Sequence, residues 1–90
     1  RQKIFTLSRP CYQMNNKEKI LLRFAVQLTK LRQAKGLSIR QLAAASELEY
    51  SQIQRIEKGK VNFAFTTLVA LAQGLDIDIQ VLLQDYKLPR

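Results

Sequence analysis

Residues 37–59, LSIRQLAAASELEYSQIQRIEKG, decide the fold. Ser38 stands directly before a periodic apolar run, and Gln41 follows three residues later, the signature of a helix-starting capping box. Ile39, Leu42 and Ala43 give this short helix a buried side, and Ala43-Ala44-Ala45 keeps it slim enough for another helix to approach closely. Residues 46–48 form a turn. A second helix runs from 50 to about 58, with Ile53 and Ile56 inward and Gly59 as its stop. Two short helices whose apolar positions are Leu42, Ala43, Leu48, Ile53 and Ile56 pack only at a steep angle. That geometry leaves Tyr50, Ser51, Gln54 and Arg55 free of core contacts.

The flanks supply the remainder of an all-α domain. Upstream, Ile20, Leu21, Phe24, Ala25, Leu28 and Leu31 recur at spacings of three and four, which predicts a long first helix over 16–35. Lys19, Arg23, Gln27 and Lys30 fall on its opposite side; Asn16 is the expected N-cap and Gly36 the left-handed terminator. Downstream, a fourth helix over 66–73 buries Leu68, Leu71 and Ala72 and ends at Gly74. Asp78 caps a fifth, from 79 to about 85, with Leu82 and Leu83 inward, and an irregular tail occupies 86–90. Residues 1–15 show no helical period and contain Pro10; they read as a basic N-terminal arm or a remnant outside the domain, whose body is 16–85.

Ninety residues, 47% of them apolar, suit one small domain with a thin stability margin. The net charge of +8 favours a polyanion, nucleic acid before an anionic membrane surface. The surplus is uneven: residues 1–35 hold nine Lys or Arg against the single acid Glu18, whereas residues 61–90 hold two bases against three acids. A lone cysteine, Cys11, fits a reducing compartment, and no apolar run approaches the ~20 residues of a membrane span. The expectation is a cytoplasmic protein with no membrane association.

Catalysis is poorly provided for. The chain has no His to activate Cys11 or to bind metal. Asp76 and Asp78 stand where helix capping needs them, and neither metal-ligand spacing nor a glycine-rich phosphate loop occurs, so no cofactor is expected. The exposed face of the third helix is better suited to a groove. The DNA major groove admits one α-helix. Arg55 can donate two hydrogen bonds to guanine, Gln54 can pair with adenine, and Tyr50 can meet a thymine methyl or a phosphate, with Ser51 beside them.

The motifs LRxxKGLS (31–38), Leu42-Ala43, Ile53 with RIEKGK (55–60), and Thr67-Leu68 through Ala72, Leu75 and Leu82 together resemble the Cro/phage-repressor type of helix-turn-helix domain over residues 20–83. The resemblance implies a five-helix lambda-repressor-like fold with its helix-turn-helix at 38–58, and specific roles within it. Arg32 and Glu57 would form a largely buried ion pair that fixes geometry. Ser38, Arg40 and Gln41 would meet phosphate at the start of the second helix, and Lys58, Lys60 and Asn62 would form the far phosphate clamp. Three positions depart from the family pattern. Glu47 replaces the turn glycine, so a non-glycine takes the left-handed conformation or the turn differs. Glu49 replaces the small hydroxyl residue that starts the third helix. Phe63 and Ala64 replace Pro-Ser in the following loop; Phe65 is expected in the core, and Phe63 is either core or a dimer contact.

These readings lead to a sequence-specific transcriptional regulator, a repressor by family resemblance, which binds double-stranded DNA as a homodimer with its third helices in successive major grooves of a near-palindromic operator. The alternative is a protein-interaction module, such as an antitoxin-like partner-binding domain, that keeps the fold without reading DNA. Glu47 and Glu49 favour the alternative; Arg40, Arg55, Lys58 and Lys60 oppose it.

Overall fold

The computed structural model describes residues 15–84 and 86–88. The basic arm with Cys11, the expected end of the fifth helix at Asp85, and the last two residues lie outside the described residues. Within them the chain forms α1 (Asn16–Ala34), α2 (Ile39–Ser46), α3 (Tyr50–Glu57), α4 (Phe65–Gly74) and α5 (Ile79–Leu82).

The starts of α1 and α2 are fixed by reciprocal side-chain caps. The Asn15 carboxamide oxygen accepts from the Glu18 N–H at 2.8 Å, and the Glu18 carboxylate accepts from the Asn15 N–H at 2.9 Å. Asn15, rather than the expected Asn16, is therefore the cap, because Glu18 stands three residues from Asn15. At α2 the expected box forms: Ser38 Oγ accepts from the Gln41 N–H at 3.1 Å and Gln41 Oε1 from the Ser38 N–H at 2.8 Å. Helices α1 to α4 then share one ending. A residue in the left-handed region lets the next N–H reach back five residues: Leu37 to the Arg32 carbonyl (3.1 Å), Leu48 to Ala43 (3.0 Å), Lys60 to Arg55 (3.1 Å) and Ile77 to Ala72 (3.0 Å). Gly36 and Gly59 make two of these turns without strain, whereas Glu47 (φ 59°) and Asp76 (φ 58°) adopt the same conformation with a side chain. The turn at Glu47 thus keeps the left-handed geometry without glycine.

The core is built from every helix: Phe24, Ala25 and Leu28 of α1, Leu42 and Ala43 of α2, Ile53 and Ile56 of α3, Leu71 and Ala72 of α4, then Leu75, and Leu82 of α5. Helix α4 crosses α2 at close range through Gly74, where a Cβ would lie 2.8 Å from that of Ser46. The close approach thus uses Ser46 and Ala43, while Ala44 and Ala45 are exposed. The Ser46 hydroxyl is satisfied by donating to the Leu42 carbonyl at 2.6 Å.

Several sequence expectations are corrected. Gln27 is buried and Ile20 is 41% exposed. Gln27 lies three residues after Phe24 and four before Leu31, so it shares their stripe. Phe65, expected in the core, is 69% exposed at the first position of α4. Phe63 takes the inward place instead, with its ring 5.1 Å from that of Phe24. Helix α4 begins one residue earlier and ends one later than expected, and α5 is a single turn that leaves Leu83 38% exposed. The tail is non-helical but docked. The Tyr86 hydroxyl donates to the Ile20 carbonyl at 3.1 Å, and Arg23 donates to the Lys87 carbonyl at 3.4 Å. Among the described residues no helix is long and apolar enough to cross a membrane.

Candidate nucleic-acid interface

Helix α3 is anchored by its apolar face and presents the other. Ile53 and Ile56 are fully buried, whereas Tyr50, Ser51 and Arg55 are exposed and Gln54 is half-buried. Its orientation is held from α1. Arg32 makes two parallel bonds to Glu57, Nε to Oε2 at 2.7 Å and Nη2 to Oε1 at 3.1 Å, and its Nη1 donates to the Leu37 carbonyl at 2.8 Å. With side chains only 12% and 8% exposed, this pair joins α1, the α1–α2 link and α3 at one point. A buried pair of this kind specifies geometry more than it adds net stability.

The predicted groups do not all meet in one place. The Arg40 guanidinium lies 4.6 Å from the centroid of the Tyr50 ring, a cation–π contact that joins α2 to the exposed face of α3. Tyr50 is in turn joined to Gln54, whose Nε2 donates to the phenol oxygen at 3.4 Å. At the start of α2, the capping box occupies the Ser38 oxygen and Gln41 Oε1, so the Ser38 O–H and the Gln41 NH2 remain as outward donors. Lys58 and Lys60 lie elsewhere, lining an open cleft of about 470 Å³ with the N-cap Asn15 and with Lys17, Glu18, Leu21 and Leu22 of α1. Asn62 is separated from them. It lines an apolar cleft of about 350 Å³ together with Ile20, Leu21, Phe24, Phe63, Leu68, Leu83 and Tyr86.

Two participants are not foreseen from sequence. Lys17 adds a third ammonium group to the Lys58–Lys60 cleft, 41 residues before Lys58, and only the fold brings it there. The Arg40–Tyr50 contact likewise spans two helices and leaves no local pattern. The arrangement provides a cation and an amide donor at the exposed face of α3, Arg40 and Gln54, and a separate cleft lined by Lys17, Lys58 and Lys60 together with Glu18. No group of three or more His, Cys, Asp or Glu able to hold a metal occurs among the described residues.

Comparison with known proteins places this geometry. Residues 28–82 match the HTH_3 helix-turn-helix family. The structure is similar to that of the restriction-modification controller protein C.AhdI from Aeromonas hydrophila, with 39% identity, a TM-score of 0.67, and coverage of 69% of this chain and 94% of that one. The wild-type restriction-modification controller protein C.Esp1396I is 26% identical, with a TM-score of 0.69 over 72% of this chain and 86% of that one. An HTH_3 family transcriptional regulator from Vibrio cholerae is 25% identical, with a TM-score of 0.73; it shares 77% of this chain but only 39% of its own. No curated protein sequence matches the chain. The family match spans the anchored α3, its partner α2 and the core that supports them, and on that ground the chain belongs to the HTH_3 family of helix-turn-helix DNA-binding transcription regulators.

Proposed function

We propose that the protein is a sequence-specific repressor that binds a near-palindromic operator as a homodimer. The observation that carries this reading is the exposed face of α3, held by the Arg32–Glu57 pair, with Arg40 against its Tyr50 and Lys58 directly following its last residue. Tyr50, Ser51, Gln54 and Arg55 read base edges in the major groove. Ser38, Arg40, Gln41, Lys58, Lys60 and Asn62 contact phosphate and set the register. Lys17 joins the phosphate clamp, since it lines the cleft of Lys58 and Lys60. The domain spans 16–85, and the first fifteen residues are a basic arm or a remnant outside it. Because one similar structure, 39% identical, is that of a restriction-modification controller protein, the genes controlled here are inferred to be of the restriction-modification kind.

The test is selection of bound sequences from a random duplex pool, followed by titration of the selected site at several salt concentrations. A two-fold symmetric motif is expected. If Lys17, Arg40, Lys58 and Lys60 each neutralise one phosphate in each subunit, log K falls against log salt with a slope of about −7. Arg55→Ala should cost about 1–3 kcal/mol on the selected site and little on random DNA, while Lys60→Ala weakens both alike. No binding at ~50 mM salt would favour the competing reading, a partner-binding module, to which the acidic Glu47 and Glu49 lend support.

A further inference from the structure

Glu49 is the one departure from the family pattern that neither the fold nor the phosphate contacts absorb. It occupies the N-cap of α3 with extended backbone (φ −80°, ψ 146°), yet its side chain makes no capping hydrogen bond. Its carboxylate takes no part in any hydrogen bond or ion pair among the described residues, and Arg40, the nearby cation, is stacked on Tyr50. The side chain is exposed and immediately precedes Tyr50 and Ser51. A helix that enters the major groove contacts base edges with its N-terminal residues.

A carboxylate at that end accepts hydrogen bonds and cannot donate them. Phosphates repel it, and so do guanine O6 and N7 and thymine O4. Two bases offer an amino donor in the major groove, adenine N6 and cytosine N4, and adenine sets its N7 acceptor beside that donor. Cytosine is therefore the base that an acidic side chain fits. On the basis of the DNA-reading function proposed above, we infer that Glu49 is a specificity-determining residue that selects cytosine at one position of each half-site and excludes guanine and thymine there. The acidic residue thereby lowers affinity for DNA in general and raises discrimination, which separates its role from that of Arg55 and the lysines.

The test compares selection from one random duplex pool by the full chain and by Glu49→Gln and Glu49→Ala. Circular dichroism confirms that each is folded; neither change removes a capping hydrogen bond. The wild-type protein should recover a motif with cytosine at one half-site position, favoured by roughly 5- to 10-fold over the other bases. Glu49→Ala should lose the preference at that position alone while binding random duplex more tightly. Glu49→Gln, with one acceptor and one donor, should move the preference toward adenine. If both variants recover the wild-type motif at every position, Glu49 does not read a base and the inference is overturned, with the DNA-reading function intact. If the wild-type protein recovers no motif, both fall together.

Discussion

Replacing Glu57 by Ala removes the carboxylate that holds Arg32 and is expected to cost about 3 kcal/mol, the lower end of the range for breaking a buried pair. The structure sets where in that range each partner falls. Without Glu57, the Arg32 guanidinium loses its contacts at 2.7 and 3.1 Å but keeps the Leu37 carbonyl at 2.8 Å. Without Arg32, both the Glu57 carboxylate and the Leu37 carbonyl lose their donors, so Arg32→Ala should approach about 5 kcal/mol. A domain of this size is stable by roughly 4–10 kcal/mol, so either change removes a large share. Urea denaturation followed by far-UV circular dichroism measures it, with a midpoint lowered by roughly 3–5 M at an m-value near 1 kcal/mol/M. The double variant Arg32→Met, Glu57→Leu should recover most of the loss, because apolar packing carries no desolvation penalty. A cost below about 1 kcal/mol for Glu57→Ala, the worth of an exposed pair, would refute the claim that this pair is desolvated. A double variant as unstable as Arg32→Ala would refute the assignment of the cost to an unpaired charge.

Three further outcomes follow from the same coordinates. Glu47→Gly should stabilise the fold by about 0.5–1 kcal/mol, raising the thermal midpoint by a few degrees, because the left-handed strain at φ 59° disappears; a lower midpoint would contradict it. Gly59→Ala should cost more than Gly36→Ala in chemical denaturation. Both meet left-handed strain of about 1 kcal/mol, but only the Gly59 Cβ would come within 3.0 Å of the Leu22 backbone; equal costs would mean that α1 yields. Phe63→Ala should lose about 2–4 kcal/mol with its contact to Phe24, whereas Phe65→Ala, at a site 69% exposed, should stay within about 0.5 kcal/mol; the reverse order would invalidate their placement.

Much of this arrangement was legible in the sequence where the signal is local. The Ser38–Gln41 box and the endings at Gly36 and Gly59 depend on residues three to five positions apart. The inward positions Leu42, Ile53 and Ile56 follow from periodicity within one helix. Legibility failed where chain-distant partners decide. Phe63 and Phe65 are equivalent as aromatic residues in a loop, and only the position of Phe24 selects the one that packs. Tyr86 docks on a carbonyl 66 residues away, which no tail composition announces. Gln27 was misplaced because a polar residue on an apolar stripe looks like a change of face. The Arg32–Glu57 pair was visible through family resemblance alone, since 25 residues separate its members.

The four shared helix endings carry a consequence for how such a chain changes over time. The link between α2 and α3 is only residues 47–49 and is closed by backbone bonds, so a single residue inserted there would turn α3 by about 100° and exchange its outer and inner faces. Substitution at Tyr50, Ser51 or Arg55 disturbs none of those bonds. Changes in length are therefore barred at the junction that leads into α3, while changes of side chain on its outer face are open. On the function proposed above, target preference drifts by point mutation within one rigid frame, and a new preference need not pass through an unfolded ancestor.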